Sequence, residues 1–292
     1  MSIVTALLGA LGVIAAVFSA VMVWIANKRK ELTPKVEAIL VGAITNFLDT
    51  LGIGSFATTT AWLRFRKLIP DSFLPPTLNA GHALPTVVQG FIFIKLIEVD
   101  PKLLVACIVA AVAGSVLGAP IVVRLPQRSI QAAMGVALVI AAALYVAKNL
   151  AWIPDHPGGL SLSGTMFAVA VAGHFVLGAL MSLGIGLYAP SLMLLSFLGL
   201  DTRAVFPIMA GACAFLMPIS GVPFVMSKRI DVRVVLGIAI GGIPAVLLAA
   251  LLVWKLPINE LRWIVAAVVL YTGVTLLYAA ARGKAAPASS DA

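Results

Sequence analysis

The stretch that decides the fold of this chain is residues 46–55, which read Asn-Phe-Leu-Asp-Thr-Leu-Gly-Ile-Gly-Ser. They place a carboxylate, an amide, two hydroxyls and two glycines in the middle of an apolar run, 39–63. Each of the two glycines, Gly52 and Gly54, weakens a helix by about 1 kcal/mol. In lipid such a break survives only where protein or a water-filled cavity satisfies the freed backbone groups. The stretch therefore predicts a broken helix that lines a cavity.

A second stretch of the same kind follows in the other half of the chain. Residues 181–190 read Met-Ser-Leu-Gly-Ile-Gly-Leu-Tyr-Ala-Pro and repeat the Leu-Gly-Ile-Gly core. Paired interruptions at corresponding places of two halves are the best sequence pointer to the binding site of a secondary transporter. We therefore expect the two breaks to lie at one shared site.

The composition places the chain in a membrane. It is 62% hydrophobic and 11% charged, whereas soluble domains carry about 25% charged residues. The first apolar run, 2–26, already exceeds the roughly 20 residues that cross a bilayer as a helix, and several such runs follow it. These features predict an all-α integral membrane protein, which we assign to a cell membrane and specifically to a bacterial inner membrane.

The net charge of +9 raises the possibility of nucleic-acid binding. The basic residues, however, form short clusters between apolar runs, where the positive-inside rule places them. We therefore expect a lipid bilayer, and not nucleic acid, as the partner of this charge. The two cysteines lie inside apolar runs and show no disulfide framework or metal spacing, so no metal or cofactor is expected.

The chain is duplicated with a register of about 131 residues, which is a strong repeat signal. We divide it into an extra N-terminal transmembrane helix with its linker, two repeats, and a small polar tail expected to be disordered. Their bounds are 1–35, 36–150, 160–282 and 283–292. Four landmarks occur in the same order in both repeats, namely 51–54 with 183–186, 76–81 with 206–211, 100–102 with 231–233, and 124–126 with 255–257.

The basic clusters also predict the topology. They flank the first broken segment on both sides, at 28–35 and 64–67. A segment that enters the membrane, breaks at its glycines and returns keeps both clusters in the cytoplasm, as the positive-inside rule favours. Each repeat then holds a re-entrant hairpin and three spanning helices, and this odd number of crossings inverts one repeat relative to the other. The N-terminus is predicted outside and the C-terminus in the cytoplasm.

The duplicated broken-helix motif, followed by an Ala-Gly-containing helix, resembles the TauE/SafE sulfite-exporter family of membrane permeases. The resemblance covers residues 36–281. Many members carry a longer glycine run where this chain has Ser55-Phe56 and Leu187-Tyr188. The resemblance implies transport of sulfite, organosulfonates and related small anions, often out of the cytoplasm.

An anion site is also plausible from the residues themselves. A half-helix that begins after Gly54 would point unpaired N–H groups at the cavity, and such a terminus carries roughly +0.5 charge. The alternative is that these glycines only allow close helix packing. The candidate substrate-binding residues are Asn46, Gly52, Gly54, Ser55, Thr58, Thr59, Asn79, His82, Gly184, Gly186 and Ser191.

Asp49 is the only carboxylate well inside an apolar run, and intramembrane ionisable groups are functional candidates by default. We interpret it as a proton- or cation-coupling group, with His82 as a second member. The alternatives are that Asp49 caps a half-helix or pairs with a loop arginine, and that His82 only bonds one helix to another. Gln89 lies two turns after His82, and His174 is a weaker candidate.

These observations favour a secondary transporter for a small anion such as sulfite or an organosulfonate, proton-coupled and working by alternating access. A cation permease that uses Asp49, Asn79 and His82 stays open, as does a non-transporting membrane subunit. No Gly-x-Ser-x-Gly, His-Glu-x-x-His or Walker motif is present, so we expect no catalytic residues and no enzyme. The motifs Gly114-x-x-x-Gly118 and Gly237-x-x-x-Gly241 allow a homodimer.

Overall fold

The computed structural model describes residues 3–52, 54–118, 127–150, 158–182, 184–226, 229–255 and 258–282. Within those ranges the chain forms eleven helices and no strand. The predicted disordered tail, 283–292, and the landmark 124–126 lie outside the described residues. The all-helical class predicted from the sequence is confirmed.

The helices follow the apolar runs of the sequence, and the two glycine-rich stretches separate neighbouring helices. A 3₁₀ turn, Asp71–Phe73, precedes α4, and a π-helical turn, Gly114–Gly118, follows α5. The helices are α1 Ile3–Arg29, α2 Val36–Thr50, α3 Ser55–Phe65, α4 Leu74–Leu96, α5 Pro101–Ala113, α6 Gln127–Asn149, α7 Gly164–Met181, α8 Tyr188–Phe197, α9 Thr202–Met226, α10 Val232–Lys255 and α11 Ile258–Arg282.

Several of these helices have the dimensions of membrane spans. Among the described residues, four helical stretches are long and apolar enough to cross a bilayer, and the chain is accordingly a helical membrane protein. They are Ile3–Arg29, Gly164–Met181, Thr202–Met226 and Val232–Leu252.

Helices α2 and α3 form a hairpin, which we call the first hairpin (36–66). Glu37 at the start of α2 accepts hydrogen bonds from Arg66 Nε, at 2.7 Å, and from Trp62 Nε1, at 3.1 Å, where α3 ends. Because helices of 15 and 11 residues reach only about 22 and 16 Å at 1.5 Å per residue, neither covers a 30 Å hydrocarbon core. The segment therefore turns back at its glycines, and its two ends lie together.

Helices α7 and α8 form a second hairpin (164–197). The residues that flank it meet, because Gly159 N donates to Gly199 O at 3.0 Å and Asp201 N donates to Gly159 O at 2.8 Å. Its first arm is longer than that of the first hairpin, with 18 residues in α7. Both glycine-broken segments thus form hairpins whose flanking residues lie together.

The open ends of the two hairpins lie at opposite ends of the molecule. Lys35, just before α2, forms a 2.7 Å ion pair with Asp231, just before α10. The open end of the second hairpin lies beside the starts of two other helices. Asp201 immediately precedes α9, and Asp100, just before α5, donates its backbone N–H to Leu160 O. Helix α9 runs from the second open end towards the first, and its 25 residues extend about 37 Å. The hairpins thus point towards each other.

The interior is built around α4 and α9, which pack against each other and are largely buried. The first hairpin packs on α10 through α2, and the second packs on α5 through α7. A Cβ at Gly241 would overlap the Ile39 backbone, and one at Gly178 would overlap the Ala111 backbone, so these glycines permit the close approach. The Gly237/Gly241 motif is therefore used within the chain.

Candidate functional site

The tips of the two hairpins touch in the middle of the molecule. Gly52, Gly54 and Gly184 have positive φ angles of 96°, 82° and 80°, which side-chain-bearing residues rarely adopt. A Cβ built on Gly54 would lie 3.9 Å from Tyr188 Cβ, and one built on Gly186 would lie 3.6 Å from Phe56 Cβ. The backbone turns at the glycines therefore bring α3 and α8 into contact.

A cavity lies at this meeting point, between the two tips and helices α4 and α9. Its free volume is sufficient for about one water molecule. One acidic side chain, Asp49, lines it, and among the described residues no lysine or arginine does. The lining residues are Asp49, Gly54, Ser55, Phe56, Thr86, Met181, Gly186, Leu187, Tyr188, Cys213 and Met217.

Asp49 is buried, with 2% of its surface exposed, and both carboxylate oxygens have partners. Oδ1 accepts from Ser55 N at 2.6 Å, and Oδ2 accepts from Gln89 Nε2 at 2.9 Å. The first bond places the carboxylate at the amino end of α3, where the helix dipole favours negative charge. This is the capping contact that the sequence offered as an alternative to coupling.

Gln89 connects the two hairpins, a role the sequence did not indicate. Its Nε2 donates to Asp49 and also to Thr50 Oγ1, at 2.8 Å, while its Oε1 accepts from the Tyr188 hydroxyl. Both amide hydrogens are therefore used. The resulting chain of hydrogen bonds runs from α2 through α4 to α8, so it links the tip of one hairpin to the tip of the other.

A second polar cluster lies between α2, α3 and α4. Asn46 Nδ2 donates to Gly42 O at 2.7 Å, which turns its Oδ1 towards His82 Nδ1, at 2.9 Å. Because that oxygen can only accept, His82 carries its proton on Nδ1 and accepts from Thr59 Oγ1 on Nε2, at 3.0 Å. Each imidazole nitrogen is occupied, and His82 does not line the cavity.

The remaining predicted residues lie away from the cavity. Thr58 donates back to Ser55 O at 2.9 Å within its own helix. Asn79 donates to Pro75 O at 3.0 Å, and its buried Oδ1 has no hydrogen-bond partner among the described residues. Ser191 pairs with His174 Nε2 at 3.0 Å inside the second hairpin. Asn79, Asp49 and His82 are therefore not assembled as one ligand set in this conformation.

The sequence pointed to four of the lining residues, Asp49, Gly54, Ser55 and Gly186, but not to the side chains that face them. Tyr188 was visible only as a departure from the glycine run of the resembling family. Phe56 and Leu187 were visible in the same way, and Met181 ends α7. Thr86 on α4 and Cys213 and Met217 on α9 lie at positions that carry no motif. The lining residues not predicted are Phe56, Thr86, Met181, Leu187, Tyr188, Cys213 and Met217.

Comparison of the chain with protein-family models, with curated proteins and with solved structures finds no match. Among the described residues, no three His, Cys, Asp or Glu side chains come together as metal ligands. The geometry of the two tips and the polar residues around Asp49 are therefore the features from which a function can be inferred.

Proposed function

We propose that this protein is a secondary transporter that moves a small anion, such as sulfite or an organosulfonate, by alternating access around its two hairpin tips. The observation that carries the proposal is that two hairpins from opposite ends of the molecule meet at one cavity beside a buried carboxylate. Broken helices that meet midway are the usual construction of transporter sites. The resemblance to the TauE/SafE permeases supports the choice of anion.

The proposed repeats are inverted in the membrane. If helices α2–α6 are exchanged in order with helices α7–α11, the contact between α2 and α10 corresponds to the contact between α7 and α5. The contact between α4 and α10 likewise corresponds to the contact between α9 and α5. This exchange supports two related halves of opposite orientation. Basic clusters beside the first hairpin assign its open end to the cytoplasm, which puts the N-terminus outside and the C-terminus inside, in a bacterial inner membrane.

In the proposed cycle, the described conformation is the one in which the two tips are in contact. A cavity with room for about one water molecule is too small for an oxyanion of four or more heavy atoms. Substrate must therefore enter when the tips separate, first at one end and then at the other. The hydrogen bond between Tyr188 and Gln89 holds the two tips together and has to break in each cycle.

Asp49 supplies a route to proton coupling in the proposed mechanism. Its carboxylate accepts a hydrogen bond from the backbone N–H of Ser55 at the amino end of α3. An anionic substrate would also bind there. Protonation removes the negative charge and weakens this bond. Substrate binding and protonation would then be coupled, because the proton neutralises the Asp49 carboxylate and the anion takes its place at the amino end of α3.

A cation permease is the second candidate, and one observation favours it. In the described part of the chain the cavity is lined by a carboxylate and by no basic side chain, so it would attract a cation when Asp49 is ionised. The two candidates differ in what Asp49 does. A cation site needs its charge for binding, whereas an anion carrier needs it only for coupling.

Reconstituted protein in liposomes tests both candidates. Flux of sulfite and of small organosulfonates is measured with and without a pH gradient, for wild type and Asp49→Asn. We expect anion flux driven by the gradient in the wild type, and anion binding without gradient-driven flux in the variant. Asp100→Asn is the matched control, since Asp100 caps α5 at the surface by accepting from Lys102 N.

The outcome of this experiment decides between the proposals. Absence of anion flux under every gradient contradicts the anion carrier. Cation-dependent flux that disappears together with binding in Asp49→Asn supports the permease instead. Absence of both anion flux and cation flux leaves a non-transporting membrane subunit as the remaining interpretation.

A further inference from the structure

Three sulfur-bearing side chains converge on the cavity between the tips. Met181 ends the first arm of the second hairpin, while Cys213 and Met217 lie one turn apart on α9. All three line the cavity and are at most 2% exposed. The Cys213 Sγ lies 3.9 Å from the Met181 Sδ. We call these three residues the sulfur cluster.

We propose that the sulfur cluster is a binding site for a soft monovalent metal cation, Cu(I) or Ag(I). Thiolate and thioether ligands select Cu(I) over harder metals. Two sulfur ligands at about 2.3 Å from one ion lie about 4 Å apart when the angle at the metal is near 120°. The Cys213–Met181 separation already has this value, and Met217 provides a third ligand on the same cavity wall.

The size of the cavity favours a single ion over a larger ligand. Its free space holds about one water molecule, which suits a metal ion without its hydration shell. Buried methionine adapts easily to such a position because its chain is unbranched and its sulfur polarizable. The ion requires only small side-chain adjustments, whereas a multi-atom anion requires the hairpin tips to separate.

The charges balance when the ion binds. The S–H bond of Cys213 breaks, the sulfur keeps the electron pair and forms the metal–thiolate bond, and the proton goes to the Asp49 carboxylate across the same cavity. The metal stays in the +1 state, so no oxidant or reductant is needed. A cation and a carboxylate are replaced by a neutral metal thiolate and a neutral carboxylic acid, which avoids burying net charge.

The test uses the full chain with a single thiol. Cys107 is buried on α5 and does not line the cavity, so Cys107→Ser leaves Cys213 as the only thiol. This protein is purified in chloride-free buffer and titrated with Ag(I), and with Cu(I) in competition with a chromogenic chelator. Native mass spectrometry counts the bound ions. We expect one ion per chain, and no binding of Zn(II) under the same conditions.

Variants of the two methionines distinguish a metal site with three sulfur ligands from a single reactive thiol. Met181→Leu and Met217→Leu keep the side-chain volume, and each should weaken Cu(I) binding at least about tenfold; Cys213→Ser should weaken it about 100-fold. Met209→Leu, at a buried position on α9 outside the cavity, should leave it unchanged. Thermal melting of each variant confirms that it is folded.

Two results would overturn the proposal. Absence of binding to the single-thiol protein is one, and binding that is equally tight in both methionine variants is the other, since a thiol alone would then explain it. The measurement uses no transported anion. Failure of the metal site and failure of the anion carrier are therefore distinguishable.

Discussion

The two hairpin tips share the Leu-Gly-Ile-Gly sequence but carry different chemistry. Three residues before the first glycine, the first hairpin has Asp49, whereas the second has Met181. The amino end of α3 is capped by the Asp49 carboxylate, while α8 has no side-chain cap. The glycines thus determine the turn, and the residues around them determine what the turn can bind.

The difference extends to the hydroxyls that follow each break. Thr59 and Ser191 both lie five residues after the second glycine, and both hydrogen-bond an imidazole. The partner of Thr59 is His82 on α4, whereas the partner of Ser191 is His174 on α7, within the same hairpin. The same hydrogen bond therefore joins the first hairpin to its neighbour but only stabilises the second internally.

The largest expected difference between the tips concerns their polar networks. Gln89→Leu removes three hydrogen bonds and leaves Asp49 Oδ2 and the Tyr188 hydroxyl without these partners, which should lower the free energy of unfolding by about 3 kcal/mol. His174→Leu, which leaves Ser191 unpaired, should cost about 1–2 kcal/mol. Unfolding titrations in mixed micelles measure both. Equal losses would show that the tips are energetically equivalent.

The second comparison concerns the glycines themselves. Gly54 has a φ of 82°, while Gly186 lies outside the positive-φ region. With a ψ of 131° as well, Gly54 lies in a region that is essentially restricted to glycine, so Gly54→Ala should destabilise the protein by about 1–3 kcal/mol. Gly186→Ala adds an ordinary 3.6 Å contact to Phe56 Cβ and should stay within about 0.5 kcal/mol of wild type. A reversed order of melting temperatures would contradict this assignment of the two turns.

The smallest expected effect tests the contact between the tips. Tyr188→Phe removes only the hydroxyl that bonds Gln89 and should cost about 1 kcal/mol. Separation of the tips then becomes roughly fivefold more frequent, so alkylation of Cys213 in the Cys107→Ser background should accelerate by that factor. Tyr271→Phe, on the partly exposed surface of α11, is the control. An unchanged rate would mean that another contact holds the tips together.

Much of the helical framework could be predicted from the sequence, because apolar runs and glycine interruptions are local signals. The first helix, Ile3–Arg29, follows the predicted apolar run 2–26, and the interruptions lie at the predicted glycines. The partners of the polar residues could not be predicted. Gln89 and Tyr188 are 99 positions apart, and no local pattern relates a glutamine on one helix to a tyrosine on another.

The sequence by itself determined that this is a helical membrane protein with two glycine-broken segments and one buried carboxylate, since hydropathy and backbone propensity depend on neighbouring residues. Only the tertiary structure decided that the two hairpin tips meet at one cavity, that Asp49 caps α3 instead of pairing with a loop arginine, and that His82 does not line the cavity. Those outcomes depend on how the two halves pack, because a buried polar group bonds whichever partner the packing brings within reach.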